Sequence, residues 1–226
     1  MVALEIGSMK TITRNLNDIN RIVTFGDSIT HGGSASKKEK CWANLVTSML
    51  ESFKGSPIEL INQGIPASIL CKETPAYDHA VNPCGLERLQ TDIIDHRPDL
   101  VIIAYGFNDA RGGTSPRIFR RDYQEMIDRI RDVYDPMIVA VNLYYMHEMF
   151  YHNCKNWEYS DLDVTEEFNL VIRQLAEKND LIYADVYAAQ KGIDWSVCGD
   201  HCHPNDLGYL LIANRIFEAI AANCVF

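Results

Sequence analysis

A serine, a histidine with a carboxylate three positions before it, and a few amide donors are the residues of this chain whose types fit one reaction. The stretch Val23-Thr24-Phe25-Gly26-Asp27-Ser28-Ile29-Thr30 ends an apolar run on a glycine and then presents a serine. A serine set just past a buried strand is held rigidly yet faces solvent, which suits a nucleophile. Its hydroxyl is a poor nucleophile at neutral pH and needs an adjacent general base, a task that suits histidine. In Asp200-His201-Cys202-His203-Pro204, His203 fills that role. Asp200 can reach its Nδ1 within one turn, fix the tautomer and stabilise the imidazolium. Attack on a carbonyl creates an oxyanion, and three donors are of suitable type: the backbone N–H of Ser28, the N–H of Gly64 and the side-chain amide of Asn108. Losing one such donor typically costs about 3 kcal/mol of transition-state stabilisation.

Each segment alone also has a plain structural reading. Gly-Asp-Ser is common turn composition, Gly64 permits a tight turn, and Asn108 could cap a helix, with Asp109 holding the loop. The cluster Cys198, Asp200, His201, Cys202 and His203 could ligate zinc, but structural zinc sites draw paired ligands from two separated segments and no partner motif is present, so no metal is expected. His201 reads as a solvated loop histidine and the cysteines as reduced thiols. Neither Gly-x-Gly-x-x-Gly nor Gly-Lys-Ser/Thr occurs, so no nucleotide or other cofactor is expected.

The elements that must position these groups are legible from periodicity. Arg21 to Gly26, Ile58 to Asn62, Leu100 to Tyr105, Met137 to Val141 and Leu181 to Val186 read as strands, the third fully apolar as in a parallel sheet covered on both faces. Helical spacing occurs in Trp42 to Phe53, Gly85 to Asp95, the segment after Ser115-Pro116, Val164 to Leu175 and Leu207 to Ala222. Strands alternating with helices predict an α/β fold: a three-layer α/β/α sandwich on a five-stranded parallel, flavodoxin-like sheet. Ligands in such folds bind beyond the carboxyl ends of the strands, where all the reactive segments lie. Residues 1–20 read as an N-terminal extension, with room for a short strand around Ala3 to Ile6 or Lys10 to Thr13, and residues 21–226 as one domain. Leu143 to Tyr159 has no clear period. Its Tyr144, Tyr145, His147, Phe150, Tyr151 and Trp157 suit a pocket lining, a satellite core or a subunit interface equally.

Taken together, the segments resemble the SGNH, or GDSL-like, hydrolases over about residues 21 to 222. The likeness rests on Gly26-Asp27-Ser28-Ile29-Thr30, on Gly64 in Asn62-Gln63-Gly64, on Gly106-Phe107-Asn108-Asp109 and on Asp200-His201-Cys202-His203-Pro204, in the family's order. One departure is Ala67, where relatives often carry a second glycine. The resemblance implies a serine esterase with Ser28, Asp200 and His203 as catalytic triad and Ser28, Gly64 and Asn108 as oxyanion hole. It implies short-chain O-acyl groups on carbohydrates as substrates, acetyl above all, with lysophospholipase, arylesterase or acyltransferase chemistry as alternatives. A metal-dependent hydrolase and a non-catalytic binding module are the readings from other classes.

The composition narrows the partners. Net charge is −10, with 31 acidic against 21 basic residues, which disfavours nucleic acid and anionic membrane surfaces. The expected partner is a small-molecule ester. No apolar run approaches the roughly 18 residues that span a bilayer, so no stable membrane insertion is expected. The first twenty residues lack the apolar stretch of a secretory signal, and seven irregularly spaced cysteines fit a reducing compartment, so the expected location is cytoplasmic.

Overall fold

The computed structural model describes residues 14–225, so the short strands considered for Ala3 to Ile6 and Lys10 to Thr13 lie outside the described residues. In chain order the elements are β1 (Arg14–Asn15), β2 (Arg21–Gly26), α1 (Ser28–His31), α2 (Trp42–Lys54), β3 (Glu59–Gly64), α3 (Gly85–Asp92) and β4 (Leu100–Ala104). Beyond these come α4 (Phe107–Arg111), α5 (Pro116–Arg131), β5 (Met137–Val141), α6 (Leu162–Lys178), β6 (Ile182–Ala184), α7 (Val186–Gln190), α8 (Asp206–Asn223) and β7 (Cys224–Val225). Five strands form one parallel sheet in the order β3-β2-β4-β5-β6, the flavodoxin-like order. β4 is buried along its whole length, as its unbroken apolar run requires of a strand covered on both faces.

The order reverses between β2 and β4. A right-handed crossover from β2 to its neighbour β3 puts α2 on one face, while crossovers running the other way put α3, α5 and α6 on the opposite face. α8 returns to pack on α2, α5 packs on α6, and the fold is a three-layer α/β/α sandwich. α5 illustrates how sequence sets an element. Ser115 caps it through a bond from the Ile118 N–H to Ser115 Oγ at 3.3 Å, Pro116 opens its first turn, and Phe119, Tyr123, Met126, Ile127 and Ile130 form its buried stripe.

Three departures from the expected elements have local causes. The last strand shortens to Ile182–Ala184 because Asp185 accepts from the Ala188 N–H and starts α7. The helix expected to reach Asp95 ends at Asp92 and is followed by a 3₁₀ turn over Ile94–His96. Residues 14–20, read as part of an extension, pack into the domain: Leu16 and Ile19 are buried in the main core, and β1 pairs in parallel with β7. Among the described residues, no helix is long and apolar enough to cross a membrane.

Candidate active site

Register makes the site. Gly26 lies opposite Gly64 on one side and opposite Ala104 on the other, so β2, β3 and β4 end level at the sheet's switch point. The residues just past each strand therefore meet at one crevice: Ser28 after β2, residues 65–68 after β3, Asn108 after β4.

Asp27 turns the chain from β2 into α1. Its Oδ1 accepts the Ile29 N–H at 2.9 Å, which caps the helix and leaves Ser28 at the first helical position. Burial pushes the Asp27 carboxyl up to about 6. On the far side of the crevice, residues 197–204 are closed into a tight loop by a bridge between Val197 and Pro204 and by bonds from Cys198 N–H to His203 O and from His201 N–H to Cys198 O. Ser34, in the loop after α1, bonds Pro204 O at 2.9 Å and the Tyr209 hydroxyl at 2.8 Å, which ties the histidine loop to the serine loop.

The result is a relay of three side chains. Ser28 Oγ is 2.9 Å from His203 Nε2, and His203 Nδ1 is 2.6 Å from Asp200 Oδ2. The carboxylate on Nδ1 assigns the Nδ1–H tautomer, so Nε2 is left to accept the serine proton. The other Asp200 oxygen accepts the N–H groups of Cys202 at 3.1 Å and His203 at 3.0 Å. Burial alone would raise the Asp200 carboxyl, but the bonds from His203 and these two amides outweigh it and hold the group below the ordinary carboxylate range.

The donor positions are less uniform. Asn108 is buried, and its amide donates to Ser68 O at 3.1 Å, which leaves its second amide hydrogen for another acceptor. Asp109 faces away, taking bonds from the Leu70 and Cys71 N–H groups, and so pins residues 68–71 beside Asn108. Gly64 departs from the expectation. Its N–H is committed to Asn62 Oδ1 at 2.9 Å, and a Cβ there would sit 2.2 Å from the His31 nitrogen, so the glycine serves close approach of β3 to α1. The unengaged amide lies three residues on. A bond from Ser68 N–H to Ile65 O closes a type II turn with Pro66 and Ala67 at its centre, and Ala67 takes φ +56°. Among the described residues no acceptor meets the Ala67 N–H or the Ser28 N–H. From sequence Ala67 stood out only as a departure from a glycine often found there, with the donor expected at Gly64; that glycine, and Pro66 before it, were the signals of a left-handed turn position.

His201 is not a solvated histidine: it stacks on Phe150 at 3.7 Å between ring centroids, and its carbonyl accepts the His147 N–H. The aromatic segment after β5 thus splits. Tyr144 enters the main core, Tyr145 joins Tyr187 and Val197 in a small second core, and Phe150 and His147 brace the histidine loop. Tyr145 and His147 both contact Asp194. Of the cluster weighed for zinc, Asp200 and His203 bond each other, Cys202 is buried and Cys198 Sγ contacts Pro204 O, and no metal-holding group of His, Cys, Asp or Glu occurs among the described residues. All seven cysteines are free thiols. A cavity of about 410 Å³ lies near Arg14, Asp99 and Tyr134 at the amino ends of the strands, and none of Ser28, Asp200 and His203 lines it.

The model of the GDSL-like lipase/acylhydrolase family matches residues 24–211. The chain belongs to that family. The matched span runs from inside β2 into α8 and so contains every segment of this GDSL-like site. An arylesterase of Vibrio mimicus is 30% identical over 112 residues, covering 50% of this chain and 49% of that protein, so the chain spans about half the length of the curated relative it matches. Two solved structures share the fold. The lipase/acylhydrolase from Enterococcus faecalis is 24% identical with TM-score 0.68, over 90% of this chain and 96% of that one. A catalytic mutant of an acetylxylan esterase from Geobacillus stearothermophilus is 16% identical with TM-score 0.68, over 92% and 95%.

Proposed function

We propose that the protein is a serine esterase that removes short acyl groups, acetyl above all, from a carbohydrate. The observation that carries this reading is the unbroken chain of contacts from Ser28 Oγ through His203 to Asp200, at 2.9 and 2.6 Å. Ser28 Oγ attacks the ester carbonyl as His203 Nε2 takes its proton. The tetrahedral oxyanion is met by the Ser28 N–H, the Ala67 N–H in place of Gly64, and the Asn108 amide. His203, its charge stabilised by Asp200, then protonates the departing alcohol oxygen. Water, deprotonated by His203 in turn, cleaves the acyl-serine and regenerates the hydroxyl.

Two observations support a sugar as the alcohol. Trp195 and Tyr159 are large aromatics left 70% and 55% exposed, the first directly before the histidine loop and the second beside the end of α4, where its N–H meets Arg111 O. Exposed rings offer apolar faces for a sugar ring, whereas an acyl chain of many carbons calls for an enclosed apolar slot. The test is a panel of acetylated sugars and p-nitrophenyl esters of rising chain length, with wild type and Ser28→Ala. Wild type should favour acetyl and lose rate steeply with length, and Ser28→Ala should fall at least about 10⁴-fold. A fluorophosphonate should label the wild-type serine and leave Ser28→Ala unlabelled. Undiminished turnover by Ser28→Ala would overturn the reading, and activity rising with chain length would move it to lipid esters.

A further inference from the structure

Arg111 is the last residue of α4 and only 9% exposed, yet it has no ion pair and no side-chain hydrogen bond among the described residues. Its Nε is enclosed and unpartnered, and its guanidinium lies over the Phe107 ring at 5.3 Å. The other deeply buried arginine shows what the fold does when a guanidinium is structural. Arg88, 7% exposed, bonds the Tyr105 hydroxyl, Ser68 Oγ and the Asp92 carboxylate. Arg111 has no such carboxylate. Asp109, two residues before it, is turned onto the Leu70 and Cys71 amides, and Asp200 is taken up by His203.

Its place is close to the chemistry. Arg111 comes three positions after Asn108, the spacing that sets two side chains on one face of a helix about 5–6 Å apart at Cβ. Its charge is also felt at the buried Cys202 thiol, the neighbour of His203, where it opposes the upward push of burial. The guanidinium is therefore carried on the element that holds Asn108 and is within electrostatic reach of the histidine loop, and the Arg111 carbonyl accepts the N–H of the exposed Tyr159. An enclosed cation without a counter-charge is costly to fold around, and an arginine fork is the usual receptor for a carboxylate.

We infer that Arg111 receives an anionic group of the substrate, so that the preferred ester carries a carboxylate within about one helical turn of the scissile carbonyl. This rests on the serine esterase reading alone: a carboxylate on the alcohol keeps acetyl as the acyl group, and one on the acyl group replaces acetyl by the half-ester of a short dicarboxylic acid. The carboxylate belongs either to the acyl group or to the alcohol, and paired substrates separate the two: p-nitrophenyl hydrogen succinate against p-nitrophenyl butyrate, and 4-acetoxybenzoate against phenyl acetate. Values of kcat/KM are compared for wild type, Arg111→Gln and Arg111→Lys. In one pair the acid-to-neutral ratio should fall at least about tenfold in Arg111→Gln, the scale of one charged hydrogen bond, and recover partly in Arg111→Lys. A ratio unchanged in both pairs would overturn the inference and assign Arg111 to support of α4. Should Arg111→Gln not fold, inhibition of the wild type decides: succinate or 4-hydroxybenzoate should inhibit phenyl acetate hydrolysis at least about tenfold more strongly than its amide, and equal inhibition by acid and amide overturns the inference. Ser28→Ala separates the two levels, because survival of its activity sinks the esterase reading, whereas unchanged ratios with a dead Ser28→Ala sink only the acidic substrate.

Discussion

Asn108 has two amide hydrogens, and the Ser68 carbonyl takes one of them. The second is the donor the proposed mechanism uses. Replacing Asn108 by Ala should therefore cut kcat/KM by about 10²–10³, through kcat more than KM, because an oxyanion exists only after attack. A loss confined to KM would show instead that the amide merely holds the ground-state ester. As candidates, Ser28, His203, Asp200 and Asn108 were legible in the sequence because the chemistry proposed for them resides in the side chain itself. Ala67 was marked only as a departure from glycine, and Arg111 drew no reading at all. The first matters through a backbone angle that alanine does not advertise, and the second through the lack of a partner, which no string of letters displays.

At the scale of elements, the end of β3 carries a division of labour between two small residues. Asn62 joins β3 to α1, accepting the Gly64 N–H and donating to Thr30 O at 2.8 Å, and Gly64 lets the two backbones touch. The next turn holds Ala67 left-handed, which costs about 1–2 kcal/mol for any residue with a Cβ. Two minimal substitutions should therefore have opposite outcomes. Gly64→Ala should destabilise by about 1–3 kcal/mol and lower activity by displacing α1 and its serine. Ala67→Gly should stabilise by about 0.5–1 kcal/mol with the contacts among Ser28, His203 and Asp200 intact, since the relief of strain exceeds the added chain entropy. Urea midpoints for both variants check this, and a stabilised Gly64→Ala would refute the close-approach role. The five strands of the main sheet were plain in the sequence because apolar runs bounded by Gly, Pro and Asn have few other readings, whereas the two-residue strands β1 and β7 carry no such run. The aromatic segment after β5 was opaque because it serves two cores and a loop at once, and no single period describes that.

For the molecule as a whole, the sheet's rim stores two buried carboxyls, Asp27 and Asp109, each pushed by burial to about 6 from 3.8. A carboxyl with a raised folded value binds its proton in the fold after the unfolded chain has released it, so its contribution to stability is complete below about 3.8 and is lost as pH rises through about 6. Glu87 and Asp206 are depressed to about 2, by bonds from Lys72 and Lys40 above all, and act only at lower pH, below their ordinary values of 4.5 and 3.8. Between pH 4.5 and 6 the unfolding free energy in urea should therefore decline, with a shallower slope in Asp27→Asn. A rise over that window would contradict the placement of the pair. That such carboxyls sit beneath the rim is a consequence of the α/β topology, which could be read from the alternation of strands and helices. Their burial could not, because it depends on the level ending of three strands far apart in sequence.

The pairing of β1 with β7 bears on handling. α8 starts at the histidine loop and runs back to β7, so Arg14–Asn15 and Cys224–Val225 meet at the end of the sheet remote from the serine. A tether attached beside either of these strands would hold the protein by its base and leave the reacting rim turned toward the bulk liquid, which makes this clasp the natural point for immobilisation on a support.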